Sequence, residues 1–365
     1  MTLKVYQYKE ICITYTLKKC SHSPTEAYKT TLFIIYLEIF FIISFVLICF
    51  VIPIIFTSKF RTLETKVELP IDEEKNNIET YDYGQYTTVK LLHVSTGEIE
   101  ELGLDQYLYG VVSSEMPANF EEEALKAQAV VARTYTIYKI TNGSKHENAN
   151  ICDDSKCCQA WISKEARFEK WNESERENNW SKIVNAVDST KGKIITYDGK
   201  PINAFFHSNS GGKTEIASSV WGGKDEPYLQ AVETSGEGNY TQYSSEVILT
   251  KSEFVDKIKQ YHSNFEIDFS NENQIEILEY TEGQRIKTIK LGNLELTGTE
   301  IRNIFGLKSA KFEISVDGEN VKFKVIGYGH GVGMSQTGAD SMAKEGKNYE
   351  EIIKHYYTGV EIVNL

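Results

Sequence analysis

The sequence predicts an α+β protein: a single-pass membrane anchor, then a domain of helices packed on antiparallel strands, with an added α/β lobe. Three observations predict it. One apolar run, residues 32–56, is long enough to cross a bilayer. A long uninterrupted helical stretch, 120–140, lies between strand text at 86–94 and a hairpin at 193–207. Residues 245–325 carry strands and short helices of their own.

The 365 residues allow one large domain or two ordinary ones with a real core. A net charge of −13 and the lack of a dense basic stripe exclude a nucleic-acid surface. The 22 Tyr, 17 Phe and 4 Trp suit a sugar or peptide cleft, and equally an ordinary core.

Taken in order, residues 1–31 are mixed in character. The clean apolar run Ile39–Phe56 is 18 residues, and extension back past Glu38 to Leu32 gives 25. About 20 span a bilayer, so 32–56 reads as a transmembrane helix. No small-x-small cleavage site follows Phe56, which argues against a signal peptide. Lys18, Lys19 and Lys29 precede the span and Lys59, Arg61 and Lys66 follow it, so charge leaves the orientation open. Residues 57–85 read as a charged linker, and 86–365 as the main domain, with 245–325 as its added lobe.

The domain opens with a strand, Tyr86–Val94, and a turn at Ser95-Thr-Gly97. An apolar stretch, Tyr107 to Asn119, sets Glu115 just ahead of a helix running from Phe120 to about Ile140. Asn119 and Glu122 have the spacing of a capping box. Ala127–Tyr135 is apolar or small on nearly every side, so this helix is buried. Arg133 within it then needs a partner or a cavity. A polar loop, 141–160, precedes a charge- and Trp-rich helix over 163–188. Lys193–Tyr197 and Ile202–His207 form a hairpin about Asp198-Gly-Lys-Pro201. Residues 213–240 read as loop. In the lobe, helices are expected at 251–262 and 298–305, and strands at 274–281, 284–291, 310–315 and 320–326. Helices at 336–344 and 348–356 close the chain.

Four motifs carry candidate chemistry. Glu115 has Val111, Val112 and Met116 as neighbours. Apolar surroundings raise a carboxyl above its ordinary value near 4.3 and make it a proton donor near neutrality. The alternative is a helix-entry carboxylate meeting the helix dipole. Next, a strand ending in Gly211-Gly212 places His207, Ser208 and Ser210 at a rim with backbone N–H groups free for a ligand. The nucleophile elbow is absent, and the Ser and His are too close in sequence to identify a triad. A turn without function is the alternative here. Third, glycine at every second position from Gly327 to Gly333 leaves one face of an extended segment bare, with Tyr328, His330, Val332 and Met334 on the other. It is neither a P-loop nor G-x-G-x-x-G; the alternative is close strand packing.

The fourth motif is His146, Cys152, Cys157 and Cys158, within 13 residues of loop. That set suits a tetrahedral zinc, structural because all four positions are filled by protein. The spacing is not that of a standard finger, and adjacent Cys157 and Cys158 do not easily share one ion. A disulfide with a spare thiol is the rival. Cys12, Cys20 and Cys49 lie before or in the apolar run.

Four blocks together carry a resemblance: Ser114-Glu-Met-Pro117, Ala127-Gln-Ala-Val-Val-Ala-Arg-Thr-Tyr135, His207-Ser-Asn-Ser-Gly-Gly212 and Gly329-His-Gly-Val-Gly-Met-Ser-Gln-Thr-Gly-Ala339. In this order they resemble the stage II sporulation protein D (SpoIID) family, over roughly 85–365. The 31 residues ahead of the anchor are longer than the family would suggest. The resemblance implies a lytic transglycosylase acting on peptidoglycan during engulfment in endospore formers. It would cut the β-1,4 bond from N-acetylmuramic acid to N-acetylglucosamine and leave a 1,6-anhydro end. The implied catalytic residue is Glu115, acid and then base. Arg133 would hold a sugar substituent or orient Glu115. His207, Ser208, Ser210, Gly211, Gly212, Tyr328, His330 and Gln336 would line the glycan groove. Implied partners are glycan strands stripped of stem peptides, the amidase SpoIIP and the membrane protein SpoIIM. The implied location is the mother-cell membrane, with the catalytic domain outside the cytoplasm. A zinc loop occurs in some relatives and fits a structural metal. Only Glu115 stands out as a carboxylate, whereas ordinary glycosidases need two. The rivals are a non-catalytic peptidoglycan-binding module, and a zinc amidase or peptidase, which would need an open metal position near a general base.

Overall fold

The computed structural model describes residues 85–365, together with Tyr36. The expectations for 1–31, for the apolar run apart from Tyr36, and for 57–84 lie outside the described residues. Among those described, no helix is long and apolar enough to cross a membrane. Ile78–Leu365 forms a compact unit of mixed helix and strand, the α+β class expected.

The unit begins with β1 (Thr88–Leu92), antiparallel to β2 (Ile99–Gly103). Helix α1 (Leu104–Glu115) leaves β2 at once. Leu104, Tyr107, Leu108, Val111 and Val112 recur at helical spacing and are buried. Gly110 lies against the Trp161 ring and the Ile162 carbonyl, which a Cβ there would strike. Helix α2 (Glu122–Asn142) is the hub, in contact with α1 and with the later helices. Only Lys126 is left partly exposed between Ala124 and Ile137, because helices and the strand Lys193–Tyr197 surround the rest. The capping box expected from Asn119 does not form. The N-cap is Glu121, whose side chain makes no cap bond; its backbone N–H donates to Asp340 Oδ1 at 2.6 Å. A carboxylate from the far end of the chain replaces the local cap.

Strand β3 (Ile151–Cys152) lies parallel to β1. The helix expected over 163–188 is two helices, α3 (Lys164–Lys170) and α4 (Arg176–Ser189). β4 (Lys193–Tyr197) turns through Asp198 and Gly199, both at positive φ, into β5 (Lys200–Pro201). The hairpin is shorter than expected. After Pro201 the chain leaves the sheet, and β6 (Phe206–His207) pairs elsewhere. Within 213–240 lies α5 (Ala217–Trp221).

From β7 (Ser244–Thr250) and α6 (Lys251–Lys259) onward a second hydrophobic cluster gathers. β8 (Ile275–Tyr280), β9 (Ile286–Leu291) and β10 (Leu294–Thr297) form one antiparallel sheet. After α7 (Gly298–Phe305), β11 (Phe312–Asp317) and β12 (Asn320–Ile326) join β7 in another. Phe254, Phe305 and Phe323 fill the space, with Phe254 stacked on Phe305 at 5.0 Å.

The glycine-rich run does not alternate as a plain extended segment. Gly327, Gly329, Gly331 and Gly333 all take positive φ. A Cβ at Gly331 would meet the Arg285 guanidinium, and one at Gly333 the Phe205 carbonyl. The run ends in β13 (Met334–Ser335), parallel to β6. Then come α8 (Gln336–Lys344), α9 (Tyr349–Tyr356) and β14 (Glu361–Asn364), which pairs with β4.

Candidate active site

Glu115 is the last residue of α1, not the first of a helix. The negative end of the helix dipole therefore faces it and disfavours its charge. Burial works the same way and more strongly, lifting the carboxyl to about 7. Two donors oppose the rise. The Ala160 backbone N–H donates to Oε1 at 2.6 Å, and Gln336 Nε2 approaches Oε2 at 3.4 Å. Ala160 is held in place by its neighbour: Gln159 Nε2 donates to Tyr107 Oη and Thr136 Oγ1, each at 2.9 Å. Near neutral pH, Glu115 thus exists in both protonation states at comparable levels, as an acid–base group requires.

Two cavities meet at Glu115. A narrow arm of about 480 Å³ is walled by α3, α4 and the Ser114–Phe120 turn. A wide arm of about 1080 Å³ is walled by the cysteine loop, α5, α7 and the glycine-rich run. Glu115, Ser208, Tyr328 and Gln336 line both arms. His207 and His330 line the wide arm. Burial lowers both imidazoles, His330 to about 3, so both are neutral. His207 Nδ1 lies 3.1 Å from the Val332 carbonyl and must carry the proton to donate there. Its Nε2 has no partner, so no Ser–His pair is assembled. Beside Glu115 the lining carries one other carboxylate, the exposed Glu175.

The other groove candidates, Arg133, Ser210, Gly211 and Gly212, lie outside this lining. Arg133 is fully buried at the end of α4. It donates to the carbonyls of Thr190 (2.8 Å), Lys193 (3.2 Å) and Val187 (3.1 Å), with Asp105 at 3.6 Å. Its partner is a helix terminus, where unsatisfied carbonyls attract a cation, rather than a sugar or Glu115. Ser210, Gly211 and Gly212 form a turn whose N–H groups are not free for a ligand. Buried Glu237 takes the N–H of Ser210 and of Gly212, each at 2.8 Å, and Asn209 takes that of Gly211. The same carboxylate accepts from the hydroxyls of Ser210 and Ser335, both at 2.5 Å, and of Thr337 at 3.2 Å. It thereby ties this turn to the start of α8, where Gln336 sits. Sequence reasoning missed Glu237 because it lies in a segment without periodicity. It also missed Arg167, Trp171, Trp221 and Arg302 in the cleft walls. The clustering of Trp with cations in 161–180 is the one signal that pointed there.

His146, Cys152, Cys157 and Cys158 converge, their donor atoms all within 4.8 Å of one another. Cys157 Sγ and Cys158 Sγ are 3.7 Å apart, and His146 Nε2 lies 3.3 and 3.5 Å from them. A tetrahedral zinc with ordinary bond lengths puts sulfurs about 3.8 Å apart and nitrogen about 3.6 Å from sulfur. The residues fit such an ion. The adjacent cysteines do face one point, because the turn after Asp154 brings both backbone N–H groups onto its carbonyl. All three thiols are free, so the rival disulfide does not form.

The class the fold and site define is an α+β unit with a buried carboxyl where two open cleft arms meet. Comparison with known proteins says which family this is. The SpoIID family model, "Stage II sporulation protein", matches residues 93–197. Stage II sporulation protein D of Bacillus amyloliquefaciens is 36% identical over 278 residues, covering 75% of this chain and 78% of that protein. Its counterpart in Bacillus subtilis is 37% identical, with the same coverage of 75% and 78%. The amidase enhancer of Bacillus subtilis is 28% identical, over 70% of this chain and 40% of its own length. The chain belongs to the SpoIID family, as the four sequence blocks indicated.

Proposed function

We propose that the chain is a peptidoglycan lytic transglycosylase, cleaving the N-acetylmuramic acid β-1,4 N-acetylglucosamine bond during engulfment in endospore formation. The observation that carries this reading is Glu115, lifted to about 7 where two cleft arms meet. Protonated Glu115 donates to the glycosidic oxygen as its bond to the anomeric carbon breaks. The resulting carboxylate then takes the proton of the same sugar's 6-hydroxyl as that oxygen bonds the anomeric carbon. The proton returns to Glu115, no water enters, and a 1,6-anhydro ring remains. One carboxylate serves both steps because they follow in time. Gln336 and the Ala160 N–H hold the carboxylate between them, and Ser208 and Tyr328 face both arms.

The test is mass spectrometry of the products from purified glycan strands. Wild type should yield anhydro-ended products. Glu115→Gln should lower the rate about a hundredfold to ten-thousandfold, the usual worth of an acid–base group, while glycan binding persists. Reducing-end products would make water the nucleophile and sink this mechanism. Strands bound yet never cut by wild type would leave a binding module instead.

The reading extends to surroundings. Residues 32–56 would anchor the chain in the mother-cell membrane, with the N-terminus in the cytoplasm and the cleft outside. An amidase of the SpoIIP type and SpoIIM would be its partners; the relative named amidase enhancer supports the first. His146, Cys152, Cys157 and Cys158 would hold a structural zinc, filling all four positions and leaving none open for chemistry. A zinc amidase has no place for its water in that set.

A further inference from the structure

The chain carries a net charge of −13, yet the cleft is cationic. The wide arm is lined by Lys139, Lys145, Lys156 and Arg302, against Glu115 alone. Neutral sugars do not call for this; hydroxyls are met by amides and aromatic faces. The two arginines are the informative pair. Elsewhere in the fold, the fully buried arginines, Arg133 and Arg285, leave Nε without a partner but spend their terminal nitrogens on carbonyls and face an acid. Arg285 donates to the carbonyls of Lys213, Gly283 and Ser210 and faces Glu215, and Arg133 is held as described. Arg302, in the last turn of α7, spends only its Nε, on the Leu307 carbonyl at 3.3 Å. Arg167, on α3, lies over the Trp171 ring at 4.8 Å, and its buried Nε has no partner. Neither has a carboxylate within ion-pair distance among the described residues; burial disfavours the charged form of both, opposed at Arg302 by the Tyr328 phenol. Arg167 lines the narrow arm and Arg302 the wide one. A half-buried, unpaired guanidinium is costly unless a ligand completes it. Its planar fork suits a carboxylate.

We infer that the two arms are carboxylate subsites, with Arg302 and Arg167 binding acidic groups borne by the strand on either side of the bond at Glu115. This rests on the peptidoglycan reading above and names the form of strand recognised. Each N-acetylmuramic acid carries a lactyl ether whose carboxyl is free once its peptide is gone; an attached stem peptide offers carboxylates further out. Neutral chitin-type strands offer none.

The experiment uses the full chain in detergent, with Glu115→Gln so that no strand is cut. Binding is measured to four glycans: peptide-free strands, the same strands with lactyl carboxyls converted to neutral amides, strands with stem peptides, and chitin oligosaccharides. Peptide-free strands should bind about tenfold or more tightly than the amidated ones, the scale of one charge-assisted hydrogen bond. Arg302→Gln and Arg167→Gln should each shrink that ratio, and together abolish it. Arg→Lys at either position should keep part of it, which separates charge from folding. If the peptide-bearing strands alone show this dependence on the arginines, the carboxylates are those of the peptide and the subsites stand. Equal binding of free and amidated strands together with no arginine dependence toward peptide-bearing strands, or equal weakening toward every glycan on loss of the arginines, overturns the inference. Anhydro products from the wild type are read separately, so the cleavage mechanism stands or falls without this result.

Discussion

Glu115 is costly to the fold when charged, and the sign of that cost is fixed by its environment. Burial raises its carboxyl from 4.5 to about 7. A group raised in the folded state stabilises fully below its unfolded value, and that contribution is lost as pH climbs through the folded one. Stability should therefore decline between about pH 4.5 and 7, by about 3 kcal/mol when complete, at 1.36 kcal/mol per unit. Glu115→Gln keeps the shape and removes the titration. Denaturant unfolding of both proteins across this range should show the gap in favour of the variant opening with pH. Parallel curves would mean that Glu115 is ordinary. For catalysis, kcat/KM should fall above pH 7 as the donor is lost, provided the acid step limits the rate. Local sequence suggested such a carboxyl, because Val111, Val112 and Met116 are apolar and are buried. It did not reveal that Glu115 closes a helix. The strong helical face of Leu104, Leu108, Val111 and Val112 contains that message, but Gly110 in its midst reads as a break, and only the fit against Trp161 explains it.

At the level of elements, the turn at 208–212 is fixed by a carboxylate it does not contain. Glu237 is buried, and five donors from two segments converge on it. A glutamine there has one acceptor oxygen and one amide that donates, so at least two of those donors go unmet. Each buried donor left unsatisfied costs about 1–3 kcal/mol. Glu237→Gln should thus lower unfolding stability by about 3 kcal/mol, read as a drop in the urea midpoint at unchanged slope. A change below about 0.5 kcal/mol, within the range of ordinary surface substitutions, would show that Glu237 is not the anchor. Elements with strong local signals were legible. The helices at 298–305 and 336–344 match their spans, and strand 320–326 does too. Elements held by tertiary contacts were not. β13 and β14 pair across more than a hundred residues, and the N-terminus of α2 takes its cap from Asp340. The same divide runs through the site. Tyr328, His330 and Gln336 were legible from the glycine run, whereas Arg302 sits on a helix whose visible pattern concerns only its apolar face.

On the scale of the whole molecule, the site exists only when distant segments meet. Glu115 ends α1, Ala160 ends the cysteine loop, and Gln336 begins α8 near the far end of the chain. Of these, the loop has the least packing of its own. Among residues 143–150 only Ala149 is buried, and β3 offers just two residues to β1. The zinc proposed for His146, Cys152, Cys157 and Cys158 would supply the missing cohesion, since metal binding to such a set is folding free energy. Purified protein should then carry one zinc per chain by elemental analysis. Stripping it with a strong chelator should lower the melting temperature by several degrees, as about 1–2 kcal/mol does in a domain of this size, and the Cys152, Cys157 and Cys158 thiols should become open to titration. The helical hub should survive, because α2 also packs on α4, α8, α9 and β4, so far-ultraviolet circular dichroism should barely change. Cys158→Ser should reproduce the stripped protein even with zinc in excess. A chain that contains no zinc, or one whose loop thiols react equally fast before and after stripping, would leave these four side chains as a reduced cluster without a metal.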